Sequence, residues 1–387
     1  MSKFKINFTL KQHTPIIHFQ ATQSGATLRA TELKPKLDRF LKEFVFRGEI
    51  PIKYKINKEK DALNYKVMIK AQDSKIHTIK KDELFFGNMK PKGVSNQEWD
   101  SRKKFFLMSN KVEVEFFSFN KPLLKIIERY FSLFLGSTNF GARQSKGYGS
   151  FYLDINDPHY KKIEDVFKEL NIKYYKFRTF KNWKKDISLF YKFLRQGINF
   201  PISSKNNCPK SRFYVKPAIF LFAKSKEWEW DKKIIKKKYF SHYLEKDIEC
   251  RGEVDILTSS FSKKYLLRDL FGLSTSQYWV HQRAIIEKIN KDIERFKSPI
   301  TFKKIDNKIY FWVNESYKKI LHKKFTIKVK GEKGLILSTP KEDEFDFDEF
   351  FNFVNRINLF EVVDDDFHKE KEFQILKRIL YEIRARR

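Results

Sequence analysis

A glycine-rich segment near the middle of the chain combines residue types that are suited to binding phosphate. It reads Gly141-Ala-Arg-Gln-Ser-Lys-Gly-Tyr-Gly149. Glycine permits positive φ and lets backbone N–H groups approach a phosphate closely. Arg143 and Lys146 would add positive charge, and Tyr148 could stack on a base. The predicted RNA contacts are therefore Gly141, Arg143, Gln144, Lys146, Gly147, Tyr148 and Gly149, with a plain glycine turn as the alternative interpretation.

A second basic segment lies where the first predicted helix begins. Gly25 to Lys36 closes the loop after the first strand and opens that helix. The N-terminus of a helix attracts anions because its first N–H groups have no partner within the helix. Arg29, Lys34, Lys36 and Arg39 are therefore candidates for contacts with RNA phosphates. An ordinary amphipathic helix with solvated lysines explains the same pattern equally well.

A third basic stretch, residues 293–302, is predicted to join a helix to a strand. Pro299 biases the residue before it toward extended backbone, so the helix should end there. Arg295 and Lys297 would either contact phosphate or cap the helix, and the structural role is favoured.

Residues that could support catalysis are sparse. None of the eight histidines pairs with another at metal-ligand spacing, and no metalloprotease, Walker or nucleophile-elbow motif occurs. His18 is the best isolated candidate for a general base, although a hydrogen-bonded structural histidine is the favoured interpretation. Asp346 and Asp348 could bind Mg²⁺, but a plain acidic loop is favoured there. We therefore predict no catalytic residue, no metal ion and no cofactor.

The charge of the chain points to a polyanionic partner. Among 387 residues, 80 Lys and Arg stand against 48 Asp and Glu, which gives a formal net charge of +32. Nucleic acid is the first candidate, because cations that contact phosphates release condensed counterions. An anionic membrane surface is the second candidate. An AT-rich genome would explain the abundance of lysine but not the imbalance between the two signs.

Cysteine usage and apolar runs predict a soluble, cytoplasmic protein that does not enter a membrane. Cys208 and Cys250 are too few for a disulfide framework or a cysteine zinc site. The first ten residues alternate between apolar and polar and lack the apolar core of a signal peptide. Apolar runs such as residues 218–223 are too short to span a bilayer.

Hydrophobic periodicity predicts an α+β fold. Residues 6–10 alternate as in a half-buried strand, and residues 33–44 have the periodicity of a helix with Pro35 in its first turn. Pro122 is predicted to open a second helix, which precedes the glycine-rich segment and a short strand. The resulting order, β-α-β-β-α-β, is that of a ferredoxin-like (RRM-like) unit.

The chain is predicted to contain two such units in tandem and a tail. The regions are 1–155, the first RRM-like domain; 156–211, a basic aromatic connector that could stack on bases; 212–340, a second and more diverged RRM-like domain; and 341–387, an acidic and then helical tail. Within the second domain we expect strands at 212–223, 300–305, 308–313 and 325–330, and helical stretches at 263–272 and 277–296. The tail would be either a solvated capping helix or an acidic docking surface for a basic subunit.

These segments together resemble the RAMP proteins, which are RRM-like subunits of CRISPR–Cas effector complexes. Thr14-Pro15-Ile16 followed by residues 28–39 is similar to the family's opening, "TP-I … LR-x-x-S-x-K-G-x-L-R". Residues 140–150 are similar to its signature "G-x-R-x-x-x-G-x-G-S". Residues 270–273 and 294–299 are similar to the "GL … RR-x-SP" stretch of the tandem-RAMP subunit that caps type III-B (Cmr) complexes near the 3′ end of the guide RNA.

The resemblance implies a non-catalytic RNA-binding subunit that acts in antiviral defence. Its implied partners are guide RNA, possibly target RNA, and other RAMP subunits. Family members that cut target RNA use an Asp in the loop after strand one, whereas residues 18–30 contain no Asp or Glu. The chain departs from the family pattern at Pro35-Lys36, where glycine is common, and in lacking a clear glycine-rich loop in its second domain.

The sequence leaves two other functions open. The first is a metal-independent endoribonuclease that processes CRISPR precursor RNA, with His18 or His13 as the general base. The second is a basic structural protein that assembles other proteins through its acidic tail.

Overall fold

The computed structural model describes residues 4–18, 27–79, 95, 97–98, 105–179, 182–202, 211–243, 261–279 and 281–384. The chain divides into two compact units: Met1–Tyr174 with Phe302–Trp312, and Tyr175–Thr301 with Val313–Arg387. Some predicted features, namely Gly25 and the two cysteines Cys208 and Cys250, lie outside the described residues.

The first unit is built on a four-stranded antiparallel sheet. In chain order its elements are β1 (Lys5–Gln12), α1 (Ala30–Phe40), β2 (Lys66–Gln72), β3 (Lys75–Thr78), β4 (Phe105–Met108), β5 (Lys111–Phe117), α2 (Lys121–Ser137), β6 (Phe151–Leu153) and α3 (Ile163–Glu169). The main sheet has the order β2-β5-β1-β6, and β3 pairs with β4 outside it. Apart from β3 and β4, the order through β6 is the predicted β-α-β-β-α-β.

One face of this sheet carries the core of the first unit. Along β5, Val112, Val114 and Phe116 are buried, and the residues between them are half-buried. Phe8 of β1 lies opposite Val114 in the antiparallel register. Buried leucines, isoleucines and phenylalanines of α1 and α2 complete the same cluster. Burial of one such side chain contributes about 1.5–3 kcal/mol, so these contacts position the loops at the sheet ends.

Local sequence sets the start of α2 but not that of α1. The side chain of Asn120 caps α2 by accepting a hydrogen bond from the Leu123 N–H at 3.1 Å, and Pro122 occupies the first turn as predicted. By contrast, α1 begins at Ala30, earlier than predicted. Pro35 therefore lies inside this helix rather than in its first turn.

From residue 174 onward the chain forms short strands and helices. They are β7 (Tyr174–Arg178), α4 (Trp183–Arg195), β8 (Ile198–Pro201), β9 (Ser211–Val215), α5 (Ala218–Ser225), β10 (Trp228–Glu229), α6 (Asp231–Tyr239), β11 (Lys263–Lys264), β12 (Leu273–Ser274), β13 (Ser276–Trp279), β14 (Ala284–Ile289), β15 (Arg295–Phe296), β16 (Ile300–Ile305), β17 (Lys308–Val313), β18 (Lys324–Lys328), β19 (Leu335–Ser338), α7 (Phe347–Val354), α8 (Leu359–Val362) and α9 (Lys371–Arg384). The second unit contains an antiparallel sheet of order β13-β14-β18-β19. In the described residues no α-helix separates these strands, so a second β-α-β-β-α-β unit is not confirmed.

The hairpin of β16 and β17 belongs largely to the first unit although it comes late in the chain. The two strands are hydrogen-bonded neighbours, and Phe302–Trp312 is part of the first unit. Tyr310 and Trp312 join its core, where their rings lie 5.8 and 5.4 Å from the ring of Phe167. Both predicted strands are confirmed, but their contribution to the first unit was not predicted.

The predicted helix at 277–296 is wrong, because β13, β14 and β15 occupy this stretch. Its isoleucines alternate as in a strand: Ile286 is fully buried, whereas Ile285 is 53% exposed. After β14, the side chain of Asn290 accepts hydrogen bonds at 2.8 and 2.9 Å from the N–H groups two and three residues ahead. Such a turn ends the strand and competes with helix formation.

Two further secondary-structure predictions need correction. The predicted strand at 212–223 ends at Val215, and α5 begins after Pro217. A short apolar run such as 218–223 fits a strand and a buried helix equally well. The stretch at 263–272 holds the short strand β11 and one turn of 3₁₀-helix at Arg268–Phe271 instead of a longer helix.

The segment predicted as a basic aromatic connector, 156–211, contains regular elements in its described residues. These are α3, β7, α4 and β8. Phe177 and Phe190 are buried and pack edge to face with their ring centroids 5.7 Å apart. Phe177, one of the connector rings predicted to stack on bases, is therefore a core residue and cannot do so.

Acidic residues of the predicted tail form ion pairs within the second unit. Arg212 contacts Glu370 and, at 2.8 Å, Glu372. Glu344 accepts a hydrogen bond from the Tyr265 hydroxyl at 2.6 Å. Glu344, Glu370 and Glu372 therefore bind groups of their own unit, whereas Asp364, Asp365 and Asp366 are exposed, so an acidic docking surface stays a prediction. The predicted terminal helix is confirmed as α9.

Candidate nucleic-acid interface

The glycine-rich loop, residues 141–149, folds back on the segment that follows β1. The ends of the loop meet, because the Phe140 N–H donates to the Gly149 carbonyl at 2.9 Å. The Gly149 N–H donates to the Pro15 carbonyl at 2.9 Å, and the Ala142 N–H donates to the Ile17 carbonyl at 2.6 Å. The loop is thus fixed against the backbone just beyond the end of β1.

Two of the loop glycines are required by the backbone and by lack of space. Gly149 has a φ of +65°, and a Cβ placed there would lie 1.9 Å from the Phe140 carbonyl oxygen. Gly141 has a φ of +75°, and its Cβ would lie 2.4 Å from the Ile17 carbonyl oxygen. Both positions therefore exclude any side chain. The close approach that they permit is between two parts of this chain.

The first helix contacts the glycine-rich loop directly. The Gly141 N–H donates to a carboxylate oxygen of Glu32 at 2.6 Å. The Lys36 ammonium donates to the same oxygen at 3.0 Å and to the Asn139 carbonyl at 2.9 Å. The hydrogen bond between Glu32 and Gly141 therefore joins two basic motifs that lie about 110 residues apart in the sequence. We call this arrangement the loop–helix cluster.

Three predicted arginines lie at the loop–helix cluster or on its helix. Arg29 is the half-buried residue that precedes α1. Arg143 has a left-handed φ of 57° within the loop and is also half-buried. Burial lowers the pKa of its guanidinium, which nevertheless stays charged because arginine titrates far above neutral pH. Arg39 is exposed in the last turn of α1.

The lysines of α1 are bound within the fold rather than directed into solvent. The Lys34 ammonium contacts Asp38 at 3.1 Å and the Leu63 carbonyl at 2.8 Å. It also lies 3.7 Å from the centre of the Tyr65 ring. Burial lowers the pKa of Lys34. Lys34 and Lys36 are therefore structural residues of this helix, which argues against the predicted phosphate contacts.

The remaining predicted side chains of the loop point to structural roles. Tyr148 is only 5% exposed and stacks on Phe106, with ring centroids 5.8 Å apart, so its face is not open to a base. Gln144 donates to the Gly141 carbonyl at 2.6 Å. The Gly147 carbonyl accepts the Thr14 hydroxyl at 2.7 Å. Lys146 is half-buried, and its backbone forms an isolated bridge with Phe302.

A buried lysine that the sequence analysis missed connects both ends of the loop. The Lys303 ammonium donates to the Thr138 carbonyl at 2.9 Å, the Phe151 carbonyl at 3.1 Å and the Asn139 side-chain oxygen at 3.3 Å. Its side chain is fully buried, and burial lowers its pKa to about 7. No periodicity predicted this position, because Phe302 beside it is buried as well.

Strand β16 makes two further contacts with the loop region. The Ser150 hydroxyl donates to the Lys304 carbonyl at 2.7 Å. The Asn139 amide donates to the Phe302 carbonyl at 2.8 Å. The shape of the loop therefore depends on contacts with residues that lie about 150 positions later in the chain.

Arg295 and Lys297 belong to the second unit. Both are exposed, and Arg295 pairs with Ser274 in the short ladder between β12 and β15. Since the segment before them is a strand and a turn, the predicted alternative of capping a helix is wrong. Contact with phosphate remains a prediction for these two residues.

The two histidines that could act as bases are both buried. His18 is 4% exposed and follows Ile17, whose carbonyl binds the glycine-rich loop. His13 is 8% exposed, and its Nδ1 accepts a hydrogen bond from the Asp306 N–H at 3.0 Å. Burial lowers the pKa of His13 to about 3, despite the opposing charge of Asp306. The His13 ring is therefore neutral and a very weak base near pH 7.

Across the described ranges, no three His, Cys, Asp or Glu side chains are grouped so that they could hold a metal ion. Asp346, one residue of the acidic pair considered for Mg²⁺, caps α7 by accepting the Asp348 N–H at 3.0 Å. It also accepts the Tyr317 hydroxyl at 2.9 Å. Within the same ranges no helix is both long and apolar enough to cross a membrane.

The fold and the loop–helix cluster define a basic α+β protein with a glycine-rich loop fixed against its first strand and helix. The family model of the Cmr1 N-terminal domain matches residues 3–198, and that of the Cmr1 C-terminal domain matches residues 214–378. The chain therefore belongs to the Cmr1 family, which confirms the predicted resemblance to a subunit of type III-B (Cmr) complexes.

Among solved structures, the chain is similar to one in the "Cryo-EM structure of the Type III-B Cmr-beta bound to cognate target RNA". The identity is 15% and the TM-score 0.27, over 39% of this chain and 58% of that chain. The match thus spans less than two thirds of that chain. No curated protein matches the sequence.

Proposed function

We propose that this chain is a non-catalytic, RNA-binding subunit of a type III-B CRISPR effector complex that holds the backbone of the guide RNA. Its partners would be other RAMP subunits and, while the complex is engaged, target RNA. The match to the Cmr1 family supports the assignment to a type III-B complex. The net charge of +32 supports an RNA partner. Antiviral defence would be the biological role.

The loop–helix cluster is the observation that carries the proposed RNA contact. Arg29 lies at the start of α1, and Arg143 lies in the glycine-rich loop. The hydrogen bond from the Gly141 N–H to Glu32 joins this helix to this loop. Several loop N–H groups, including those of Gly141, Ala142 and Gly149, are used inside the fold. Phosphates would therefore be bound by guanidinium groups rather than by a cradle of backbone N–H groups.

A ferredoxin-like, RRM-like fold is proposed for the first unit alone. Its antiparallel order β2-β5-β1-β6, with α1 and α2 in the connections, supports a ferredoxin-like, RRM-like module. We assign the guide RNA to this module.

Replacing Arg29 and Arg143 together by alanine is expected to weaken RNA binding by the full chain and to reduce its salt dependence. Each lost phosphate contact with single-stranded RNA should lower the slope of log affinity against log salt by about 0.7. Binding would be measured by fluorescence anisotropy over a series of salt concentrations.

The matched control is Lys58→Ala with Lys60→Ala. Like the arginine variant it removes two positive charges from the first unit, and both of these lysines are exposed. The control should leave the slope nearly unchanged. If the arginine variant has the same affinity and slope as the original chain, the loop–helix cluster is not the RNA site.

The enzymatic alternative has one observation in its favour, the position of His18 next to the residue that binds the loop. Because His18 is almost completely buried and His13 is a very weak base, we expect the purified chain to leave CRISPR repeat hairpins intact. Gel analysis of repeat RNA with and without EDTA measures this. Cleavage that persists in EDTA and is abolished by His18→Ala would replace the binding function by an endoribonuclease.

A further inference from the structure

Three phenylalanine rings form an exposed aromatic patch at the start of β1 and the end of β5. Phe119 is 77% exposed. Its ring lies 5.0 Å from that of Phe117 and 5.5 Å from that of Phe4, and both pairs are edge to face. Phe4 and Phe117 are half-buried. We call these three residues the phenylalanine patch.

The strand register places lysines on both sides of this patch. Phe117 lies opposite Lys5 of β1 and opposite Lys66 of β2. Because Val112, Val114 and Phe116 of β5 face the core, Phe117 projects from the other face of the sheet, together with these two lysines. A row of three strands thus presents Lys5, Phe117 and Lys66 side by side.

The charge around the phenylalanine patch is predominantly positive. Lys121, fixed at the first position of α2 by the Asn120 cap, lies 5.4 Å from the centre of the Phe4 ring. Lys66 is exposed. Lys5 is paired with Glu115 at 2.9 Å, so its charge is offset by that carboxylate. Two lysines therefore remain for an anion that approaches the rings.

The patch lies at the opposite end of β1 from the loop–helix cluster. The cluster contacts Pro15 and Ile17, beyond the last residue of β1, whereas Lys5 is the first residue of β1 and Phe4 precedes it. Eight residues of strand span roughly 26 Å at about 3.3 Å per residue. The two surfaces share no residue and are far enough apart to contact different nucleotides.

We propose that the phenylalanine patch binds a base of single-stranded RNA, which stacks on Phe119, while Lys66 and Lys121 contact the neighbouring phosphates. Aromatic rings beside cations suit single-stranded nucleic acid, because every base has a face that can stack and every nucleotide carries a phosphate. The inference rests on the proposed RNA-binding function but assigns a second, chemically different contact.

The test is Phe119→Ala in the full chain, with binding of an unstructured single-stranded RNA measured over a series of salt concentrations. Loss of one stacked base is expected to weaken binding about 5- to 150-fold. The salt slope should stay unchanged, because no cation is removed. Phe119→Trp, which keeps an aromatic face, should retain the affinity. Phe360→Ala, which truncates a ring that is 48% exposed in the second unit, is the matched control and should have no effect.

A second measurement separates stacking from other effects of the substitution. An RNA of the same length without bases should bind the original chain and the Phe119→Ala variant equally, because it has nothing to stack. If Phe119→Ala leaves affinity unchanged while the Arg29 and Arg143 variant loses it, the stacking site is wrong and the proposed function stands. If Phe119→Ala abolishes association with another subunit but not with RNA, the patch is a protein-docking surface instead. If the original chain binds no RNA, both proposals are wrong.

Discussion

Gly149→Ala is expected to destabilise the first unit more than any other single methyl addition to the glycine-rich loop. The new Cβ would lie 1.9 Å from the Phe140 carbonyl oxygen, and the residue would have to keep a φ of +65°. Relief of the clash would break the hydrogen bond from the Phe140 N–H to the Gly149 carbonyl. Steric overlap, backbone strain and the lost bond together should lower the free energy of unfolding by about 3 kcal/mol or more.

Gly48→Ala is the matched control for this substitution. Gly48 also lies in the first unit and has a φ of +106°, but no atom lies within 4 Å of the position of its Cβ. Only backbone strain remains there, so a loss of about 1 kcal/mol is expected. Denaturant unfolding of both variants, followed by circular dichroism, measures the difference. Equal losses would mean that the loop is not closed as described.

Lys303→Met is expected to change the pH dependence of stability as well as its magnitude. In the folded chain burial lowers the pKa of Lys303 to about 7, compared with 10.5 for a solvated lysine. Between these two values the unfolded chain binds the proton and the folded chain does not, so the stability contributed by this group rises with pH. Its contribution is fully present above pH 10.5 and is lost as the pH falls to 7. The total change is at most about 5 kcal/mol.

The methionine side chain removes this titration together with the hydrogen bonds of the amine. Three buried oxygen atoms surround the lysine nitrogen. Near pH 10 the neutral amine has two N–H groups to donate to them, so two hydrogen bonds are lost there, at a cost of about 1–3 kcal/mol each when the oxygen atoms stay buried. Lys303→Met should therefore be much less stable than the original chain near pH 10, and the difference should shrink toward pH 7. Denaturant unfolding at several pH values checks this. The control is Lys308→Met, which replaces a half-buried lysine of the same hairpin. A difference in stability between Lys303→Met and the original chain that stays constant across the pH range would contradict the prediction.

Features of the first unit that depend on local sequence could be predicted. Alternation in β1 and β5, helical periodicity in α1 and α2, and the position of Pro122 all reflect short-range geometry. The glycine-rich loop was found for the same reason, because glycine marks positions where the backbone needs positive φ. The family resemblance rested on those same motifs and was confirmed by the family match.

The roles of individual side chains could not be predicted from spacing. Lys34, Lys36 and Tyr148 were expected at the RNA, yet tertiary contacts bury or bind all three. Whether a lysine is solvated depends on which carbonyl groups surround it, and here those groups lie 29 and 103 residues away. The exposed ring of Phe119 was missed for the complementary reason, since an apolar residue at a strand end is usually assigned to the core.

The late hairpin also affects the order in which the protein can fold during synthesis. Ser150 and its hydrogen-bond partner Lys304 are separated by 154 residues. At about 5–20 residues per second, a ribosome exposes the glycine-rich loop roughly 8–30 s before it delivers the strand that fixes it. During this interval the loop in the nascent chain lacks its hydrogen bonds to β16, while residues of the second unit are being synthesised. A fragment that ends near residue 200 would lack these hydrogen bonds permanently. In the full chain, a chaperone would have its main opportunity to act during this interval.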